Sequence, residues 1–90
     1  MTPVDLKKRT KEFALRVIRV TQSLEDNWIS RTIGHQLLRA GTSVGANYRA
    51  ASRARSPAEF RSKLGIVLEE ADETVYWMEL LVDSKLVNLW

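Results

Sequence analysis

A chain of 90 residues closes around one hydrophobic core, which excludes two independent domains and makes residues 1–90 a single unit. Hydrophobic residues make up 44% and charged residues 28%, a balance too apolar for a disordered tail and ordinary for a folded soluble domain. The net charge of +3 hides an asymmetry: residues 1–55 carry a net +7 and residues 56–90 a net −4, so the chain offers either a basic binding surface or two halves that attract each other.

The apolar spacing is helical almost throughout, and three helices are predicted. The amino terminus, Met1-Thr2-Pro3-Val4-Asp5, lacks the apolar core of a secretory signal. The first helix is predicted from about Val4 to Ser23. Leu6, Phe13, Val17, Val20 and Leu24 fall within about 60° of arc at 100° per residue and form its buried face. Lys8, Arg9, Arg16 and Arg19 lie opposite, with Lys7 and Lys11 toward the flank. Glu25-Asp26-Asn27 makes a polar turn, Trp28 and Ile29 act as a staple, and Ser30 is the expected N-cap of the second helix.

That second helix is predicted over about Arg31–Arg53, with Ile33, Leu37, Ala40, Val44, Tyr48 and Ala51 on its apolar face. Its many small residues, Gly34, Gly41, Ser43, Gly45 and Ala46 among them, indicate close backbone approach by a neighbour, because an interior Gly otherwise costs roughly 1 kcal/mol against Ala. Asn47 stands at the edge of the apolar face and is expected to make a structural hydrogen bond to the third helix near Glu69, Glu73 or Thr74.

The third helix has the sharpest start. Ser56-Pro57-Ala58-Glu59 places an N-cap, a proline at the first helical position and a capping-box carboxylate, Glu59, in register. Phe60, Leu64, Val67, Leu68, Ala71, Val75, Met78 and Val82 form one apolar face up to about Asp83, while Ile66, Glu73, Trp77 and Leu80 align on a second side. A helix apolar on two sides needs two partners, and Ile66, Trp77 and Leu80 are the expected subunit contact. A chain this short hides only about 60 to 65% of its unfolded surface, which also favours assembly. Another helix can begin at Lys85-Leu86-Val87-Asn88-Leu89-Trp90.

The residues offer little for chemistry. With no cysteine there is no disulfide, thiolate ligand or cysteine nucleophile. His35, the only histidine, sits between Arg31 and Arg39 on a basic face and reads as solvated or phosphate-contacting rather than catalytic. Glu69, Glu70, Asp72 and Glu73 lack a His or Cys at ligand spacing, so ion pairing of Glu69 and Glu73 with a cation from another helix is expected instead of a metal. No phosphate-binding glycine loop or dinucleotide fingerprint is present, and no catalytic residue or cofactor is predicted. The functional candidate is the set of cations Lys7, Lys8, Arg9, Lys11, Arg16, Arg19, Arg31, Arg39, Arg49, Arg53 and Arg55, which could meet a nucleic-acid backbone irrespective of base sequence. The rival reading is a structural or protein-interaction module whose basic face pairs with its own acidic helix or an acidic partner. No uncharged apolar run approaches the roughly 20 residues of a membrane span, and the chain is expected in the cytoplasm.

The run Leu37-Leu38-Arg39-Ala40-Gly41-Thr42-Ser43-Val44-Gly45-Ala46-Asn47-Tyr48-Arg49, followed by Ala54-Arg55-Ser56-Pro57-Ala58-Glu59-Phe60 and Lys63-Leu64-Gly65-Ile66, resembles the four-helix-bundle proteins encoded in 23S ribosomal RNA intervening sequences. The likeness continues through Leu68–Thr74 and Tyr76–Leu81 and covers roughly residues 30–85. The resemblance implies an all-α, antiparallel up-down four-helix bundle, a homo-oligomer that is most often a pentamer, and no enzymatic activity. The family is similar to accessory proteins of diversity-generating retroelements, which implies RNA or DNA and a reverse transcriptase as partners. Two departures stand out: Ala50 replaces an acidic residue common in relatives, leaving the stripe around Arg49 more basic, and relatives continue for about one more helix after the position of Trp90.

Overall fold

The computed structural model describes residues 2–87, which form three α-helices: α1 (Pro3–Ser23), α2 (Trp28–Ser52) and α3 (Pro57–Asp83). Each start has a chemical cause. At α1, Thr2 and Asp5 make a reciprocal capping box in which the Thr2 hydroxyl accepts from the Asp5 amide at 3.2 Å and the Asp5 carboxylate accepts from the Thr2 amide at 3.1 Å. The Thr2 backbone bond, and then the Thr2 hydroxyl, hold the Asp5 carboxyl below its ordinary value, because both donate to the ionised form.

At α3, Ser56 caps the Glu59 amide at 3.1 Å with Pro57 at the first position, as the sequence predicts; the Glu59 carboxylate reaches one residue further back than a capping box requires and accepts from the Arg55 amide at 3.2 Å. The α2 start differs from expectation. Asn27, not Ser30, is the N-cap, accepting from the Ser30 amide at 2.9 Å, so the helix begins at Trp28 and ends at Ser52 rather than spanning Arg31–Arg53. An amide side chain in an extended residue caps as well as a hydroxyl does, and the earlier start turns Ser30 into the buried interior with its Oγ unpaired.

α2 is the middle helix. Both α1 and α3 pack on it while their own backbones stay apart. The pairings run antiparallel: Gly45 lies against Thr10 and Gly41 against Val17 on one side, while Leu37 meets Leu81, and Val44 and Tyr48 meet Val67, on the other. The result is an elongated body of 44 × 20 × 17 Å. Its interior has two parts, one around Val17, Leu37 and Leu81 and one around Val44, Tyr48 and Val67, with Phe13 packing against both.

The α1 and α2 faces match the predicted ones, whereas the buried line of α3 is rotated from its expectation. Val67, Thr74 and Leu81, at a spacing of seven, are buried. Leu68, Val75 and Phe60 are left outside at 64%, 53% and 38% exposure. Thr74 enters the core because its hydroxyl donates to the Glu70 carbonyl at 2.7 Å and so is satisfied inside its own helix. The open stripe borders an apolar groove between α1 and α3 lined by Phe13, Val75, Met78 and Val82. Beyond Asp83 no new helix starts among the described residues. Lys85 adopts φ 61°, the Leu86 amide returns to the Leu81 carbonyl at 3.0 Å, and Leu86 and Val87 fold back onto the core. The remainder of the expected fourth-helix start, Asn88 to Trp90, lies outside the described residues, and the described residues hold three helices, not four.

Candidate nucleic-acid interface

Two i,i+4 pairs of cations, Lys7 with Lys11 on α1 and Arg49 on α2 with Arg53 at its C-cap, come to one place. They line a cleft of about 560 Å³ between the two helices whose remaining walls are Thr10, Ala14, Thr42, Gly45 and Ala46. Its depth follows from small side chains. A Cβ on Gly45 would lie 3.3 Å from the Thr10 hydroxyl, so glycine lets the helices approach there, and that hydroxyl is already turned back onto the Leu6 carbonyl at 2.8 Å. Among the described residues no carboxylate lines the cleft.

The other predicted cations are distributed differently. Lys8 and Arg9 share a separate depression with Asp5 and Glu12, which offset their charge. Arg16, Arg19 and Arg55 are exposed and outside the cleft. Arg31 is ion-paired to Asp26. Arg39 crosses to α3, where it pairs with Glu73 and, at 3.2 Å, with Glu70, while its Nε donates to Gln36 at 3.1 Å. Both arginines therefore have part of their charge met within the chain. His35 is exposed beside Arg31 in a separate depression at the opposite end of the hairpin.

The polar residues singled out in the sequence are used in their own ways. Glu73 is the expected ion-pair partner and also accepts from the Trp77 indole at 3.0 Å. Glu69 takes no part; Glu70 fills its place, because on this helix residue 70 faces α2 while residue 69 points to solvent. Asn47 does not reach α3. Its amide donates to the Ser43 carbonyl at 2.8 Å, one turn back in its own helix, a nearer acceptor than anything on α3. Of the expected subunit contacts, Ile66 is 41% exposed, Leu80 is half-buried, and Trp77 packs partly onto the core around Leu37 and Leu81.

Sequence reasoning missed the floor of the cleft. Thr10, Ala14 and Thr42 carry no periodic signal of their own, and the small residues Gly45 and Ala46 point to close packing without saying that a charged cleft flanks it. Among the described residues, no three or more His, Cys, Asp or Glu side chains are grouped to hold a metal ion, and no helix is long and apolar enough to cross a membrane.

The fold and the sequence have known relatives. The family model described as 23S rRNA-intervening sequence protein matches residues 3–89. A crystal structure from Bacteroides thetaiotaomicron, a protein of unknown function from the S23 ribosomal protein family, is 39% identical and superposes with a TM-score of 0.90 over 99% of this chain and 80% of its own. No curated protein matches. With a match over residues 3–89 and a related fold at 39% identity, this chain belongs to the 23S rRNA-intervening sequence protein family.

Proposed function

We propose that this protein is a non-enzymatic helical scaffold that works in the cytoplasm as a homo-oligomer, a pentamer by family resemblance, and holds RNA or DNA without base selection through the basic face of α1 and α2. The observation that carries this reading is that, of the eleven candidate cations, only Arg31 and Arg39 are ion-paired among the described residues. The acidic half of the chain neutralises Arg39 and leaves the α1/α2 face to external anions. Unpaired clustered cations are what a phosphate backbone rewards, through release of its condensed counterions.

Assembly is supported by the second apolar side of α3, where Ile66 is exposed and Trp77 and Leu80 are only half-buried. The open groove along Phe13, Val75 and Met78 is where the fourth helix expected of this family's bundle has room to pack. A reverse transcriptase as protein partner follows only from the likeness to retroelement accessory proteins. The rival reading, a protein-interaction module without nucleic-acid affinity, draws on the same apolar sides of α3.

The test is binding of labelled RNA and duplex DNA to the purified oligomer across a salt series. Log affinity should fall linearly with log salt, with a slope of about 0.9 for each phosphate neutralised on a duplex. No binding at low salt would sink the nucleic-acid reading in favour of its rival.

A further inference from the structure

Resting on the nucleic-acid reading, we infer that the α1/α2 cleft is a cradle for the phosphate ridge of a nucleic-acid duplex, and that single strands are the poorer ligand. The helix register supports this. With Thr10 opposite Gly45 and Val17 opposite Gly41, Lys7 lies level with Arg49. Lys11 is one turn away in one direction and Arg53 one turn away in the other. Four residues of helix rise about 6 Å, so the cations form three successive steps along the cleft, drawn from both banks. That pitch is of the same order as the separation of consecutive phosphates in one strand.

The walls decide what kind of strand fits. Proteins that hold single strands combine a cationic groove with aromatic rings on which unpaired bases stack. Here the cleft has cations and small neutral side chains but, among the described residues, no aromatic ring and no carboxylate. It can reward phosphates and has nothing to reward an unstacked base. A duplex presents phosphates while its bases are already stacked internally, so it loses nothing by this lack. Its backbone is also a raised ridge, the shape complementary to a furrow between two helices. RNA and DNA duplexes share the chemistry, and the test separates them.

The experiment uses the assembled full chain with a duplex RNA, a duplex DNA and an unstructured single strand of equal length, and two paired variants, Lys7→Gln with Arg49→Gln in the cleft and Arg61→Gln with Lys63→Gln on α3, outside it. Circular dichroism establishes that both variants remain folded. The cleft pair should lose about tenfold or more in duplex affinity and reduce the salt slope by about 2, one for each lost phosphate contact, while the outer pair changes affinity by less than about threefold. The wild-type protein should hold at least one duplex about tenfold more tightly than the single strand. If the outer pair weakens binding as much as the cleft pair, the cleft is not the site, although nucleic-acid binding itself stands. Tighter binding of the single strand overturns the duplex assignment. Absence of binding to all three ligands removes the underlying reading together with this one.

Discussion

Gly41 and Gly65 lie in the interiors of neighbouring helices and face opposite demands. A Cβ on Gly41 would stand 2.7 and 2.8 Å from the two methyl groups of Val17, a buried β-branched side chain with little freedom to turn away. A Cβ on Gly65 would meet nothing within 4 Å. Gly65→Ala should therefore stabilise the protein by about 1 kcal/mol, the intrinsic helix preference. Gly41→Ala should destabilise it, because overpacking of about 1 to 3 kcal/mol outweighs the same gain. Thermal melts should show shifts of opposite sign, and a rise for both would refute the close α1/α2 approach at Val17. The small residues around Gly41 point to close packing in the sequence, but the opposite signs of the two substitutions depend on what faces each glycine.

At the scale of a helix, the local signals are of uneven strength. The α3 start was legible because Ser56, Pro57 and Glu59 act within one turn and need no tertiary partner. Ser56→Ala should cost about 1 kcal/mol, read as a lower urea midpoint at an unchanged slope; an unchanged midpoint would mean that the cap contributes nothing. At α2 the expected cap, Ser30, and the observed one, Asn27, stand three residues apart, and both residue types cap well. Packing accompanies the earlier start, because Ser30 is buried and Gly34 lies against Leu24, the residue that caps α1. The α3 face illustrates the same limit. An all-apolar stripe through Leu68 and Val75 is the natural reading of the periodicity, yet the surface that α2 covers is centred on Val67, Thr74 and Leu81. The Arg39 clasp by Glu70 and Glu73 lies beside that line, which is why residue 70 rather than 69 is the partner.

For the whole molecule, the distribution of charge and apolar surface matters more than any single contact. One flank of α2 carries the cationic cleft, and α3 keeps apolar side chains in contact with solvent. If the protein assembles through the Ile66 and Leu80 side, Ile66→Glu with Leu80→Asp should lower the native mass in light scattering while the helical signal is kept. An unchanged mass in the folded variant would remove that interface. Trp77 is better left intact in this test, since it packs on the core and bonds Glu73, so its loss would disturb the monomer as well. The sequence by itself determined the three helices, the α1 and α2 core faces, the family and the existence of a basic half. These depend on periodicity, end signals and composition, which act over a few turns or over the whole chain at once. Only the tertiary structure decided which cations converge, which are ion-paired, and which apolar residues of α3 remain outside. Those outcomes depend on helix rotation and register, and a shift of one residue rotates a side chain by 100°.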